Sequence, residues 1–395
     1  MWIVFAALAL AYSMSQFYRA FLAVLAPVLG AEIGVTPDDL AFASGIWFIA
    51  FAGMQIPVGW ALDRIGPRRT AAWLFGVAAT GGAALFASAQ GPGVIILAMA
   101  LIGVGCAPLL MAAMYIFARS FRPAVFGTLA GLMIGISSAG NLASAAPLAL
   151  AVEAVGGRTA VWVLAGITLT IALILYAIVR DPPPLEPHAD GGIGGLWSVL
   201  RHPAVLLILP MTFVNYAPAA AVRGLWVGPY MADVHGLDAD GIGMVTLAMA
   251  VAMIAGNFFY GPADRMFGTR KWVVLAGAFA AALALLGLWA APSAGVVQGA
   301  ALLVALGFFG SSFALLMAHG RSYFPPHLVG RGISLLNLLS IGGTGVLQIV
   351  SGRLHTATTA RGLPPAEVYG TLFLFFAGML LAGCAIYVFS RDRLG

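Results

Sequence analysis

Two arginines stand where a charge is expensive. Arg19 lies about sixteen residues into an apolar run at 3–31, and Arg223 lies about nineteen residues into the run 204–231. A helix rises 1.5 Å per residue, so sixteen residues carry the chain about 24 Å, too deep for easy snorkelling. A charged side chain at membrane depth costs at least ~2.5–3.5 kcal/mol, and it is kept only with a partner or beside a wet cavity. The planar guanidinium fork matches a carboxylate or phosphate with two hydrogen bonds. None of the fourteen acidic residues falls near the centre of a run; Glu153, near the outer end of its run, comes closest. An empty cavity holding both arginines would be strongly positive, so an anion is its natural guest.

The neighbours of the arginines support a cavity. Tyr12, Gln16 and Arg19 share one helical face, as do Thr212, Tyr216 and Arg223 with Ala219. Ser137, Asn141 and Ser144 form a polar stripe on a fifth run; Asn337, Thr344 and Gln348 form another on an eleventh, with Ser340 nearby. Polar stripes on apolar helices point away from lipid. Gln16, Tyr18, Asn141, Asn215, Tyr216 and Asn337 are therefore candidates for orienting the anion. Each stripe also has an ordinary reading, an interhelical hydrogen bond that holds a bundle. His319, near the inner end of a tenth run, could titrate near neutral pH and is a candidate proton-coupling group. Its other reading is a satisfied interfacial histidine. Exchange of one anion for another would need no titrating group.

Lipid must be the solvent for the elements that carry these residues. Of 395 residues, 62% are hydrophobic and 8% charged, against roughly 25% charged in soluble domains. A span needs about 20 mostly apolar residues. Twelve runs qualify, at 3–31, 40–62, 70–90, 94–118, 124–152, 159–179, 204–231, 241–262, 272–291, 297–320, 330–352 and 367–390. The first lacks a basic start and a cleavage site, so it is expected to be retained. With the N-terminus in the cytoplasm, fourteen basic residues fall inside and three (Arg158, Arg353, Arg361) outside; the positive-inside rule selects that orientation. The net charge of +5 is then a topology signal, and no nucleic-acid partner is expected. Cys106 and Cys384 lie in apolar runs and read as small buried residues. No metal, nucleotide or hydrolase motif appears, so neither a cofactor nor an enzyme is expected.

The longest connection, 181–202, holds Pro182-Pro183-Pro184 and a glycine run. It separates six runs (1–180) from six more (203–395), with a short interfacial helix expected at Leu196–Leu200. The halves repeat. Asp63-Arg64 recurs as Asp264-Arg265, Arg119-Ser120-Phe121 as Arg321-Ser322-Tyr323, Gly127 as Gly330, and Arg19 as Arg223. Both halves start on the same side, so they are parallel repeats about an axis along the membrane normal, with a site expected where they meet.

The segment Gly59-Trp60-Ala61-Leu62-Asp63-Arg64-Ile65-Gly66-Pro67-Arg68-Arg69 resembles the G-x-x-x-D-R-x-G-R-[RK] signature of the major facilitator superfamily, with Pro67 where a basic residue is common. The second copy, around Asp264 and Arg265, is displaced by an insertion before Gly268. The resemblance covers the whole chain. It implies an all-α membrane protein of twelve helices in two pseudo-symmetric six-helix bundles, both termini cytoplasmic. It implies a conformational latch at Gly59, Asp63, Arg64, Arg68, Asp264 and Arg265, and a cavity lined by the first, fourth, seventh and tenth spans. Opposed arginines resemble members that carry organic phosphates or carboxylates; nitrate carriers place theirs on the second and eighth spans. The expected function is a secondary active transporter of a small organic anion, by alternating access, as exchanger or proton-coupled carrier in a bacterial inner membrane, acting as a monomer. A proton-driven drug exporter is the alternative within the superfamily, although the R-x-x-x-G and G-P-x-x-G-G elements of such members are missing. A non-transporting sensor or assembly factor on the same scaffold is the alternative of another class.

Overall fold

Backbone polar groups in hydrocarbon must be satisfied within their own segment, and an apolar run does this as a helix. The computed structural model describes residues 2–120, 129, 132–182, 203–324 and 329–393, and every regular element among them is helical. Arg122, Gly127, Gly131 and the expected short helix at Leu196–Leu200 lie outside the described residues. Among the described residues, ten helices are long and apolar enough to cross a membrane: Pro37–Arg64, Pro67–Ala87, Pro92–Phe117, Leu132–Val155, Gly157–Ile178, Ala239–Phe267, Lys271–Ala290, Val296–Arg321, Leu335–Thr359 and Pro365–Tyr387. They are the second to sixth and eighth to twelfth spans of the expected order. The chain divides into two compact units, Met1–Pro187 and His188–Gly395.

The internal repeat extends to helix starts. Thr36 accepts from the Asp39 amide at the start of the second span, and the Asp39 side chain answers with a bond to the Thr36 amide. Asp238 accepts from the Gly241 amide at the start of the eighth. Each fills an orphan donor of the first turn. It extends to packing as well. A Cβ on Gly140 would overlap the Ser13 carbonyl, and one on Gly343 would overlap the Phe213 carbonyl. The fifth and eleventh spans thus touch backbone of the first and seventh, which only a missing side chain permits.

The first and seventh spans depart from the expected continuous helices. The first is two helices, Trp2–Tyr18 and Leu22–Ile33, bent by 49°. At the bend the ladder tightens: Ala20 N donates to Phe17 O, Ala23 N to Ala20 O and Val24 N to Phe21 O. The seventh is assembled from Pro203–Leu206, Leu209–Val214, Ala217–Ala221, a π-helical turn at Val222–Trp226, and Val227–His235. Its breaks, at 207–208 and 215–216, lie just ahead of Pro210 and Pro218. Proline removes one ladder bond and crowds the carbonyl four residues back, so each break has a covalent cause.

Candidate functional site

Arg19 occupies the bend of the first span. Three rings surround its guanidinium: Phe51 at 5.1 Å and Trp47 at 5.5 Å, both on the second span, and Tyr12 at 6.0 Å. Ring faces attract the cation electrostatically. Two polar atoms beside this residue are buried without a hydrogen-bond partner among the described residues, the Gln16 carbonyl oxygen and the Trp47 indole nitrogen. One accepts and one donates, and buried polar groups of this kind call for water or a ligand. Asn141 is half-buried on the fifth span, where Ser137 bonds back to the Ala9 carbonyl at 3.1 Å.

Tyr18 is turned elsewhere. It is fully buried, and its hydroxyl lies 2.8 Å from Thr168 Oγ1 on the sixth span. Thr168 gives its only hydroxyl proton to the Leu164 carbonyl at 2.8 Å, so Tyr18 is the donor. That hydroxyl joins two helices of one bundle.

Arg223 sits inside the π-helical turn and is 3% exposed. A π-turn is one residue wider than an α-turn and recurs at functional sites. Tyr216 precedes Arg223 by seven residues, as Tyr12 precedes Arg19; the Tyr216 ring packs 5.7 Å from Phe313. Asn215, at the upstream break, donates to Ser312 Oγ at 3.1 Å, while its own carbonyl oxygen is buried without a partner among the described residues. Asn337 is half-buried on the helix Val329–Thr359. One turn beyond Arg223, the Trp226 indole donates to Ser351 at 2.9 Å and stacks on the His355 ring at 5.1 Å. Sequence reading missed this cluster, although the spacing of Arg223 and Trp226 places them on one helical face.

The signature loops behave differently in the two units. In the first, Asp63 and Arg64 are exposed and make no hydrogen bond or ion pair among the described residues. A Cβ on Gly59 would meet Met111 at an ordinary 3.8 Å, so packing does not demand glycine there. Arg68 reaches the sixth span, where Nε donates to the Tyr176 carbonyl at 2.6 Å and the guanidinium lies 4.4 Å from the Tyr176 ring. In the second, Arg270 donates to Asp264 at 2.9 Å, and Arg265 is exposed. One aspartate outside the signature completes each loop. Asp181 accepts from the Arg68 amide at 2.7 Å. Asp392 accepts from the Arg270 and Lys271 amides at 3.2 and 3.1 Å and from the Thr269 hydroxyl. Burial pushes the Asp392 carboxyl up, but these hydrogen bonds outweigh it and hold the group below the usual carboxylate range. The missed signal was the repeated dipeptide Arg180-Asp181 and Arg391-Asp392.

His319 is fully buried at this end of the second unit. Its Nε2 lies 3.0 Å from the Arg391 carbonyl, which can only accept, so Nε2 carries the proton and Nδ1 accepts from the Tyr387 hydroxyl at 2.5 Å. The Tyr323 hydroxyl donates to the same carbonyl.

A profile of the Major Facilitator Superfamily matches residues 8–225 and 208–394. The chain belongs to this superfamily. As in other superfamily members, the result is a multi-pass, all-helical membrane protein. The chain is 23% identical over 278 residues to a probable sulfoacetate transporter, SauU, of Cupriavidus necator, a match covering 65% of this chain and 64% of that protein. Solved members of like fold include a bacterial homolog of the human lysosomal transporter Spinster (TM-score 0.74, 17% identity, 98% of this chain and 96% of that one). The D-xylose-proton symporter is similar too (0.76, 14%, 96% and 97%), as is the nucleoside transporter NupG (0.77, 14%, 98% and 99%).

Proposed function

We propose that the protein carries a small organic anion across a bacterial inner membrane by alternating access, with Arg19 and Arg223 taking the anionic groups. The observation that carries this reading is the repeat itself: one arginine per unit, Arg19 at the bend of an apolar helix pair and Arg223 in a π-helical turn. Such departures from regular α-helix recur at functional sites. Within the first unit the unsatisfied oxygen of Gln16 and the indole N–H of Trp47 are orienting groups together with Asn141, and within the second the unsatisfied oxygen of Asn215 together with Tyr216 and Asn337. The relative named as a probable sulfoacetate transporter supports the solute class. Sulfoacetate carries a tetrahedral sulfonate and a planar carboxylate, and either accepts paired hydrogen bonds from a guanidinium. Asp63, Arg64, Arg68, Asp264 and Arg265 act in the conformational latch. Exchange fits this reading best, because a bound anion would neutralise the arginines, and His319 has both ring nitrogens engaged.

The test is flux in proteoliposomes. Two-headed organic anions such as sulfoacetate should enter saturably and trans-accelerate one another, whereas cationic drugs should not be carried. Saturable flux of a cationic drug, with none of any anion, would overturn the reading.

A further inference from the structure

Between the third and sixth spans the first unit carries a groove of about 340 Å³. Its floor is Gly76 against Ala172, where a Cβ on the glycine would stand 3.1 Å from the alanine Cβ. Trp73 and Leu173 rise on either side, each 62% exposed. Small residues between large ones make a furrow, and the third span is π-helical from Leu74 to Ala79, which widens it along the furrow. One end of the groove is basic. Tyr176 closes it, with the Arg68 guanidinium over its ring at 4.4 Å. Arg69 precedes Trp73 by four residues and so shares its face. Arg69 is exposed and makes no hydrogen bond or ion pair among the described residues.

We propose that this groove binds an anionic phospholipid, one acyl chain lying in the furrow and the phosphate resting on Arg69 beside Arg68. Charge complementarity selects the occupant. A zwitterionic headgroup would bring an ammonium against two guanidinium groups, while an anionic one brings only charge they attract. Trp73 and Tyr176, apolar rings with a polar edge, suit the depth where chain meets headgroup. The site lies within one unit and is separate from Arg19.

Native mass spectrometry of the purified full chain in mild detergent tests this, with phosphatidylglycerol and phosphatidylethanolamine of identical acyl chains as probes. The native protein should retain phosphatidylglycerol about fivefold more strongly, the size of one surface arginine's attraction for anionic lipid. Arg69→Gln should remove most of that preference, Ala172→Phe should lower retention of both lipids by filling the furrow, and Arg353→Gln should change nothing. Among the described residues the Arg69 side chain has no partner to lose, so its variant tests the site even where Ala172→Phe fails to fold. Equal retention of the two lipids by the native protein, or a preference that survives Arg69→Gln, would overturn the proposal.

Discussion

The Asp181 carboxylate accepts a 2.7 Å hydrogen bond from the backbone nitrogen of Arg68, 113 residues earlier in the chain. Asp392 does the same for Arg270 in the second unit. Each acid arrives from the end of its unit and neutralises the positive start of a helix near the beginning. Asp392→Asn should therefore lower the melting temperature at pH 7. The folded carboxyl titrates below its unfolded value, so its stabilisation is present above about pH 4 and fades as the pH falls through the folded value. Thermal melts of native and variant protein should converge in acid; a difference that persists unchanged at pH 3 would remove this account.

Arg19→Ala and Arg223→Ala should each lower anion flux about 10–100-fold, the worth of a charged hydrogen-bonding group of roughly 1.5–3 kcal/mol, with the folded yield preserved. Arg19→Lys should recover part of the flux, because the charge returns without the fork. Radiolabelled uptake normalised to folded protein measures this. Normal uptake in both alanine variants would remove the assignment.

Tyr18 provides a contrast from the adjacent position. Its hydroxyl serves Thr168, so Tyr18→Phe should cost about 0.5–1.5 kcal/mol of stability and leave the apparent affinity for the anion unchanged. A large change in that affinity would return Tyr18 to the solute site.

Gly140→Val should prevent the fifth span from closing on the first, because the Ser13 carbonyl occupies the space of the new Cβ. Gly343→Val should do the same against Phe213. Overpacking costs ~1–3 kcal/mol where the neighbour can shift, and a helix backbone shifts little. Loss of the monodisperse peak in detergent is the expected readout, whereas Gly81→Val, with open space around its Cβ, should leave the peak intact.

The helical membrane fold was legible because lipid leaves so few alternatives: apolar runs, basic turns and the repeated Asp-Arg pair are periodic or compositional signals. Arg19 and Arg223 stood out for the same reason, since a charge in an apolar run is visible without any geometry. The departures were not visible in that way. Pro210 and Pro218 announce breaks, but whether a proline kinks a span or divides it depends on what packs beside the freed carbonyls. Tyr18 and Gln16 both lie close to Arg19 in sequence, but two residues along a helix turn the side chain about 200°, and Tyr18 faces Thr168 on the sixth span instead. Asp181 and Asp392 lay in segments read as connections, and their partners are more than a hundred residues away.

The pieces of the seventh span have a consequence for biogenesis. Leu209–Val214 and Ala217–Ala221 are each shorter than two helical turns, so most of their terminal backbone groups have no partner within the same piece. Both pack against the eleventh and twelfth spans, which the ribosome makes more than a hundred residues later. The Arg223 segment therefore takes its final shape late, after the last two helices have entered the bilayer, and a truncated chain ending before them would carry the charge on an unfinished element.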